Sequence, residues 1–189
     1  MDSYLAPCEI IDFTHPQVAA KAKALAEGCN DDEAVAKNCF LFVRDRIRHS
    51  GDIKAQVGTC TASEVLEYGT GWCYAKSHLL AALLRANAIP AALCYQRLSC
   101  DEYGKGIYCL HGLNAVYLKN HGWYRLDARG NKPGVNAQFT PPVEQLAFAL
   151  GPNESDLPGL YARPLEVVVE ALRKYPTYET MCGHLPDFV

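Results

Sequence analysis

Apolar residues recur at helical intervals over the first fifty positions. Thr14, followed by Pro16 in a first-turn position, opens a run in which Val18, Ala22 and Leu25 share a face, and Gly28 stops it. Asn30 with Glu33 three residues on repeats the start signal, and Val35, Phe42, Val43 and Ile47 carry a second helix to about His49. Thr61-Ala-Ser-Glu64 spells a capping box for a short helix ending at Tyr68, after which Gly69-Thr70-Gly71 turns the chain. From Cys73 to Asn87 the residues Ala75, Leu79, Ala82, Leu83 and Ala86 form one stripe that Leu80 and Leu84 widen. Such a helix is expected to be mostly buried.

Pro90 ends that helix, and the period then changes to that of strands: Ala91–Ser99, a charged and Gly-containing loop over Cys100–Gly106, then Gly112–Lys119 and Trp123–Asp127. The three strands predict an antiparallel sheet packed on the central helix. Beyond Asp127 the chain is loop-rich until a last helix around Pro164–Lys174, and the stretch after Tyr175 carries no clear pattern. No internal repeat or Pro/Gly/Ser-rich linker divides residues 1–189, which are expected to form one domain.

Composition narrows the possible functions. With 49% hydrophobic and 21% charged residues the chain is not of the disordered type. A net charge of −3 without blocks of like charge argues against nucleic-acid or polybasic membrane partners. The N-terminus lacks a basic stretch followed by an apolar one, and no apolar run is long enough to span a bilayer, so a cytoplasmic location is expected. Nine cysteines without a C-x-x-C pair point to thiols in a reducing compartment rather than to a zinc ribbon or a regular disulfide framework. The nearest approach to metal-ligand spacing is Cys109-Leu110-His111, with His121 or His184 as a third ligand.

A thiol attacks as thiolate, and the first turn of a helix favours that anion through its unpaired N–H groups and positive dipole end. Cys73 is placed in that way, and Gly71 lets the backbone approach a substrate closely. His111 and Asp127 stand on successive predicted strands. If Lys119-Asn120-His121 is the hairpin loop, Leu118 pairs with Gly122 and His111 lies diagonally beside Asp127 on one face, within reach of a hydrogen bond. A two-residue loop would put them on opposite faces. Lys76, one turn from Cys73, reads most simply as a solvated lysine, His78 is turned away from Cys73, and His121 is expected in an exposed turn.

The segment Gly71-Trp72-Cys73-Tyr74-Ala75-Lys76-Ser77-His78, running on to Ile89-Pro90, resembles the nucleophile segment of the transglutaminase-like superfamily, where Gly-x-Cys opens a helix ending in an Ile-Pro turn. His111-Gly112-Leu113-Asn114 and Gly122-Trp123-Tyr124-Arg125-Leu126-Asp127 are similar to that family's histidine and aspartate strands. The resemblance implies an α+β, papain-like core with a Cys-His-Asp triad at Cys73, His111 and Asp127. It implies acyl transfer at an amide of a protein or peptide through a thioester, with hydrolysis favoured over transglutamination. A protein-binding module retaining the fold without catalysis is the contrasting class. The chemistry requires no metal or organic cofactor, and no loop of calcium ligands is present in the sequence. Two residues depart from the family pattern: Ala88 replaces a usual Gly before Ile-Pro, and Trp72 is bulky where small residues are common, so that it either narrows the mouth of the site or lines an acyl pocket. The side chain that supplies a second oxyanion donor is not identified by the sequence.

Overall fold

The computed structural model describes residues 1–100 and 106–187; most of the expected Cys100–Gly106 loop therefore lies outside the described residues. Helix α1 spans Pro16–Ala26, with proline in its first turn as expected. Helix α2 spans Asp32–Arg46 and is capped by Asp31 rather than Asn30: the Asp31 carboxylate accepts the Ala34 N–H at 2.7 Å, so Glu33 falls inside the first turn. The helix ends before His49 because Arg48–His49, strand β1, pairs in parallel with Thr70–Gly71, strand β2. Between them lie α3, Ser50–Ile53, and α4, Ala62–Tyr68. The capping box of α4 is complete: Thr61 Oγ1 accepts the Glu64 N–H at 3.2 Å, and Glu64 Oε2 accepts the Thr61 N–H at 3.0 Å.

Helix α5, Cys73–Ala86, is the centre of the molecule, and every residue from Cys73 to Arg85 is buried. One side packs on the sheet and the other on α1, α2 and α4. Leu79, Leu80, Leu83 and Leu84 are wholly excluded from solvent, a burial that stabilises by roughly 2 kcal/mol for each side chain. Most polar groups of the helix are met by main-chain carbonyls, although His78 Nε2 has no partner. Lys76 Nζ donates to Ile47 O, and Arg85 donates to Ala6 O, Ala91 O and Ala162 O. Lys76 is thus a buried tie between α5 and the chain entering β1, not the solvated residue that the sequence suggested.

The main sheet has the order β5-β4-β3-β6 and is antiparallel throughout, with β3 at Ala91–Ser99, β4 at Tyr108–Leu118, β5 at Gly122–Leu126 and β6 at Ser155–Asp156. Strand β4 begins four residues before the expected Gly112, so His111 sits within the strand rather than at its start. Gly112 and the polar His111 had hidden that extension from the alternation pattern. After a long loop, α6 spans Glu166–Lys174 and α7 spans Tyr178–Cys182, the latter in the stretch that carried no pattern. Among the described residues no helix is long and apolar enough to cross a membrane. The architecture is the expected α+β arrangement of a central helix, with Cys73 at its start, on an antiparallel sheet, preceded by a helical region.

The end of α5 explains the departure at Ala88. Ala88 N–H donates to Arg85 O and Ile89 N–H to Leu84 O, a Schellman closure that puts Ala88 in the left-handed region at φ 56°. Glycine adopts that conformation without a Cβ penalty. Ala88→Gly is therefore expected to raise the stability of the protein by about 0.5–1 kcal/mol, read as a higher urea midpoint with unchanged slope.

Candidate active site

The site is assembled where β4 comes down on the first turn of α5. Cys73 is the first helical residue, preceded by Trp72 in extended conformation. A Cβ on Gly112 would stand 3.0 Å from the Cα of Tyr74, so only glycine lets the strand approach this closely. The Gly112 N–H then points at Cys73 Sγ at 3.4 Å, and the Tyr74 hydroxyl donates to Leu110 O. Residue 111, between these two anchors, carries the imidazole.

The hairpin has the three-residue loop. Leu118 pairs with Gly122 and Asn114 with Leu126, so His111 and Asp127 project from one face just beyond the last pair. His111 Nε2 lies 2.7 Å from Asp127 Oδ2, and the Cys73 sulfur is near enough to act on the charge of the ring. Asp127 is wholly buried and accepts two further main-chain bonds, from Arg129 N at 3.0 Å and Ala147 N at 3.1 Å. Phe148 stands edge-on to the His111 ring at 5.1 Å and shields the pair.

Burial by itself would keep His111 neutral, but the Asp127 carboxylate and the Cys73 sulfur outweigh it and push the imidazole pKa up to about 10. Burial would likewise raise Asp127; the facing imidazole and the main-chain donors instead hold it below the ordinary carboxylate value. This is the electrostatic state of a histidine ready to hold a proton beside a sulfur.

Cys73, His111 and Asp127 are thus brought together. Trp72 lines the same cavity, about 230 Å³ in volume, and stacks on Tyr178 with ring centres 6.3 Å apart. Gly71 does not line it: the residue is buried, and its missing side chain makes room for Ala75 Cβ at 3.2 Å and Thr59 Oγ1 at 3.3 Å. Its small size thus serves packing against Ala75 and Thr59. His78 faces away and bonds Cys60 O at 2.8 Å, while His121 pairs with Glu33 at 3.1 Å. Cys109 forms a disulfide with Cys100 instead of joining His111 as a metal ligand, which corrects the reading of these cysteines as thiols. Among the described residues no three His, Cys, Asp or Glu side chains converge as a metal site.

Three residues of the cavity wall were not singled out by the sequence. His49, on β1 beside Gly71, has a buried Nδ1 without a hydrogen-bond partner; Asp52 is 3.9 Å away. Burial and then the Arg129 charge hold its pKa well below the usual imidazole range. Arg129 is gripped at 2.6 and 2.8 Å by Asp52, which also binds Lys132 at 2.8 Å. Phe148 belongs to the loop-rich stretch. Arg129 and Phe148 lie in no periodic segment and His49 falls at the very end of the second expected helix, so residue type is their main sequence signal.

The family model of the transglutaminase-like superfamily matches residues 19–128, more than half of the chain, and the protein belongs to that superfamily. Among solved structures it is similar to a "putative cysteine protease" from Cytophaga hutchinsonii, with 18% identity and a TM-score of 0.52 over 67% of this chain and 40% of that one. It is also similar to the periplasmic domain of TgpA from Pseudomonas aeruginosa, with 17% identity and a TM-score of 0.48 over 66% of this chain and 45% of that one. The match spans less than half the length of either structure. No curated protein is similar enough to count as a match.

The raised imidazole has a consequence for stability. A group whose folded pKa of about 10 exceeds an unfolded value of 6.5 contributes stability that is full below pH 6.5 and lost as pH rises towards 10. The gap in urea midpoint between the wild-type protein and His111→Gln should accordingly shrink steadily between pH 7 and 10.

Proposed function

We propose that the protein is a cysteine-dependent acyl-transfer enzyme acting on an amide of a protein or peptide, with water as the usual acceptor. Cys73 Sγ attacks the carbonyl carbon as the thiolate, its proton held by His111. The tetrahedral intermediate collapses with cleavage of the C–N bond, and His111 returns the proton to the departing amine. Water then attacks the thioester, giving up a proton to His111 and restoring the Cys73 thiolate. Asp127 keeps the imidazole oriented and supports its charged form. The observation that carries this reading is the buried His111–Asp127 contact of 2.7 Å on the strand whose next N–H meets Cys73 Sγ.

Hydrolysis is preferred to transglutamination because water needs no acceptor site of its own. His49 is assigned the second oxyanion donor: it is held neutral, lies upstream of the nucleophile and lines the cavity with it. A reducing compartment, the cytoplasm, is retained on the seven free thiols, Cys73 among them, against the single Cys100–Cys109 bond.

Alkylation of Cys73 by iodoacetamide at pH 6 is expected to run at least about tenfold faster than that of a free cysteine, and to lose the advantage in His111→Ala. A rate no faster than the free amino acid overturns the reading. Mass spectrometry after incubation with a peptide mixture and a labelled amine should yield shortened peptides; labelled peptides would instead identify amine transfer, and unchanged ones a binding module. His49→Ala should lower turnover by about 10²-fold while leaving Cys73 alkylation unchanged.

A further inference from the structure

The segment following α7 runs across the face of the site. Gly183 ends the helix, and Leu185 enters the cavity that holds Cys73 and His111. The Pro186 carbonyl accepts the Leu110 N–H at 2.8 Å. Asp187 closes the run with a two-pronged ion pair to Arg97, Nε and Nη2 each 2.7 Å from a carboxylate oxygen. Its start is anchored by His184, stacked on Tyr175 with ring centres 4.0 Å apart.

These contacts fall on a particular edge. Among the described residues, β5 pairs with β4 only from Asn114 to Leu118, and no strand pairs with the side of β4 turned away from β3 at residues 110–112. N–H groups two residues apart point the same way along a strand. On this open edge the Gly112 N–H meets Cys73 Sγ, and the Leu110 N–H, about 7 Å further along, holds the Pro186 carbonyl. A backbone carbonyl bound at Leu110 therefore lies only about two residues along the strand from the sulfur, and unpaired strand edges are where extended peptides add.

We infer that the open edge of β4 is the peptide-binding strip, and that Leu185–Asp187 fills it in the resting protein as an internal competitor for substrate. The strip reads an apolar side chain in the cavity, a backbone carbonyl at Leu110 and, two positions after the apolar residue, an acidic side chain at Arg97. The substrate class is a peptide of the pattern apolar-x-acidic. This inference takes the proposed function as its setting, but the occupancy of the strip does not depend on the chemistry of Cys73.

The test uses the full chain with Cys73→Ala, so that binding is read without turnover. The probe is a fluorescent peptide of sequence Gly-His-Leu-Pro-Asp, followed by anisotropy. Adding Leu185→Ser and Asp187→Ser should empty the strip and tighten binding at least tenfold. In that released protein Arg97→Glu should weaken binding at least tenfold, and a peptide carrying lysine in place of its aspartate should recover it. Unchanged affinity on release, or failure of the charge exchange to rescue, overturns the inference. Should the double release variant lose its native circular dichroism, Asp187→Arg with and without Arg97→Glu provides the same comparison: the single change should tighten binding of the original peptide, and the paired change should abolish that gain. Binding as expected with no peptide cleavage by the Cys73-containing protein would overturn the catalytic reading alone. Cleavage without release-dependent binding would overturn this one alone.

Discussion

Strand β4 packs closely against helix α5 at Gly112, and the rest of the site follows from that approach. Gly112 lies against the Tyr74 backbone where any side chain would force the two elements apart. Because the strand comes so near, its N–H can meet Cys73 Sγ and its carbonyl at Leu110 can accept the Tyr74 hydroxyl. With the residues on both sides pinned, His111 has little freedom to move relative to the sulfur. Orientation of reacting groups in advance is a main source of catalytic power, and under the proposed function main-chain packing would supply it here.

The centre of the protein holds an unusual number of charges for a buried helix. Lys76 is fully buried, and burial followed by the Arg129 charge lowers its pKa to about 7. Arg85 and Lys76 meet main-chain carbonyls rather than carboxylates, an arrangement that ties loops to the helix at fixed points. The ties have a common effect: the chain entering β1 and the segment around Ala162 cannot shift without leaving a buried cation unsatisfied. His49 differs from both in that its buried Nδ1 has no partner.

Local signals carried much of the fold. The α4 capping box, the hydrophobic sweep of α5 and the hairpin with Leu118 opposite Gly122 each follow from residues close together in sequence. The hairpin register also determined that His111 and Asp127 share a face, so that part of the site was readable before any coordinates. Features that rest on distant contacts were not. The two-residue pairing of β1 with β2 is too short to leave a period, and Asp31 displaced Asn30 as a cap by one position. Lys76 misled because lysine is ordinarily solvated; its burial depends on carbonyls from α2 and the residue beyond it, nearly thirty positions upstream. The Cys100–Cys109 bond and the run from Leu185 to Asp187 likewise follow from where the sheet places its neighbours.

The loop after β5 has two duties that cannot be separated. Ala147 gives its N–H to the Asp127 carboxylate, while the adjoining Phe148 both covers the imidazole and forms part of the cavity wall. Remodelling that wall to admit a different side chain would also disturb the acid that steadies the base. Trp72 and Leu98 border the same space without hydrogen-bonding the Asp127 carboxylate, so under the proposed function a change of substrate preference would come most easily there.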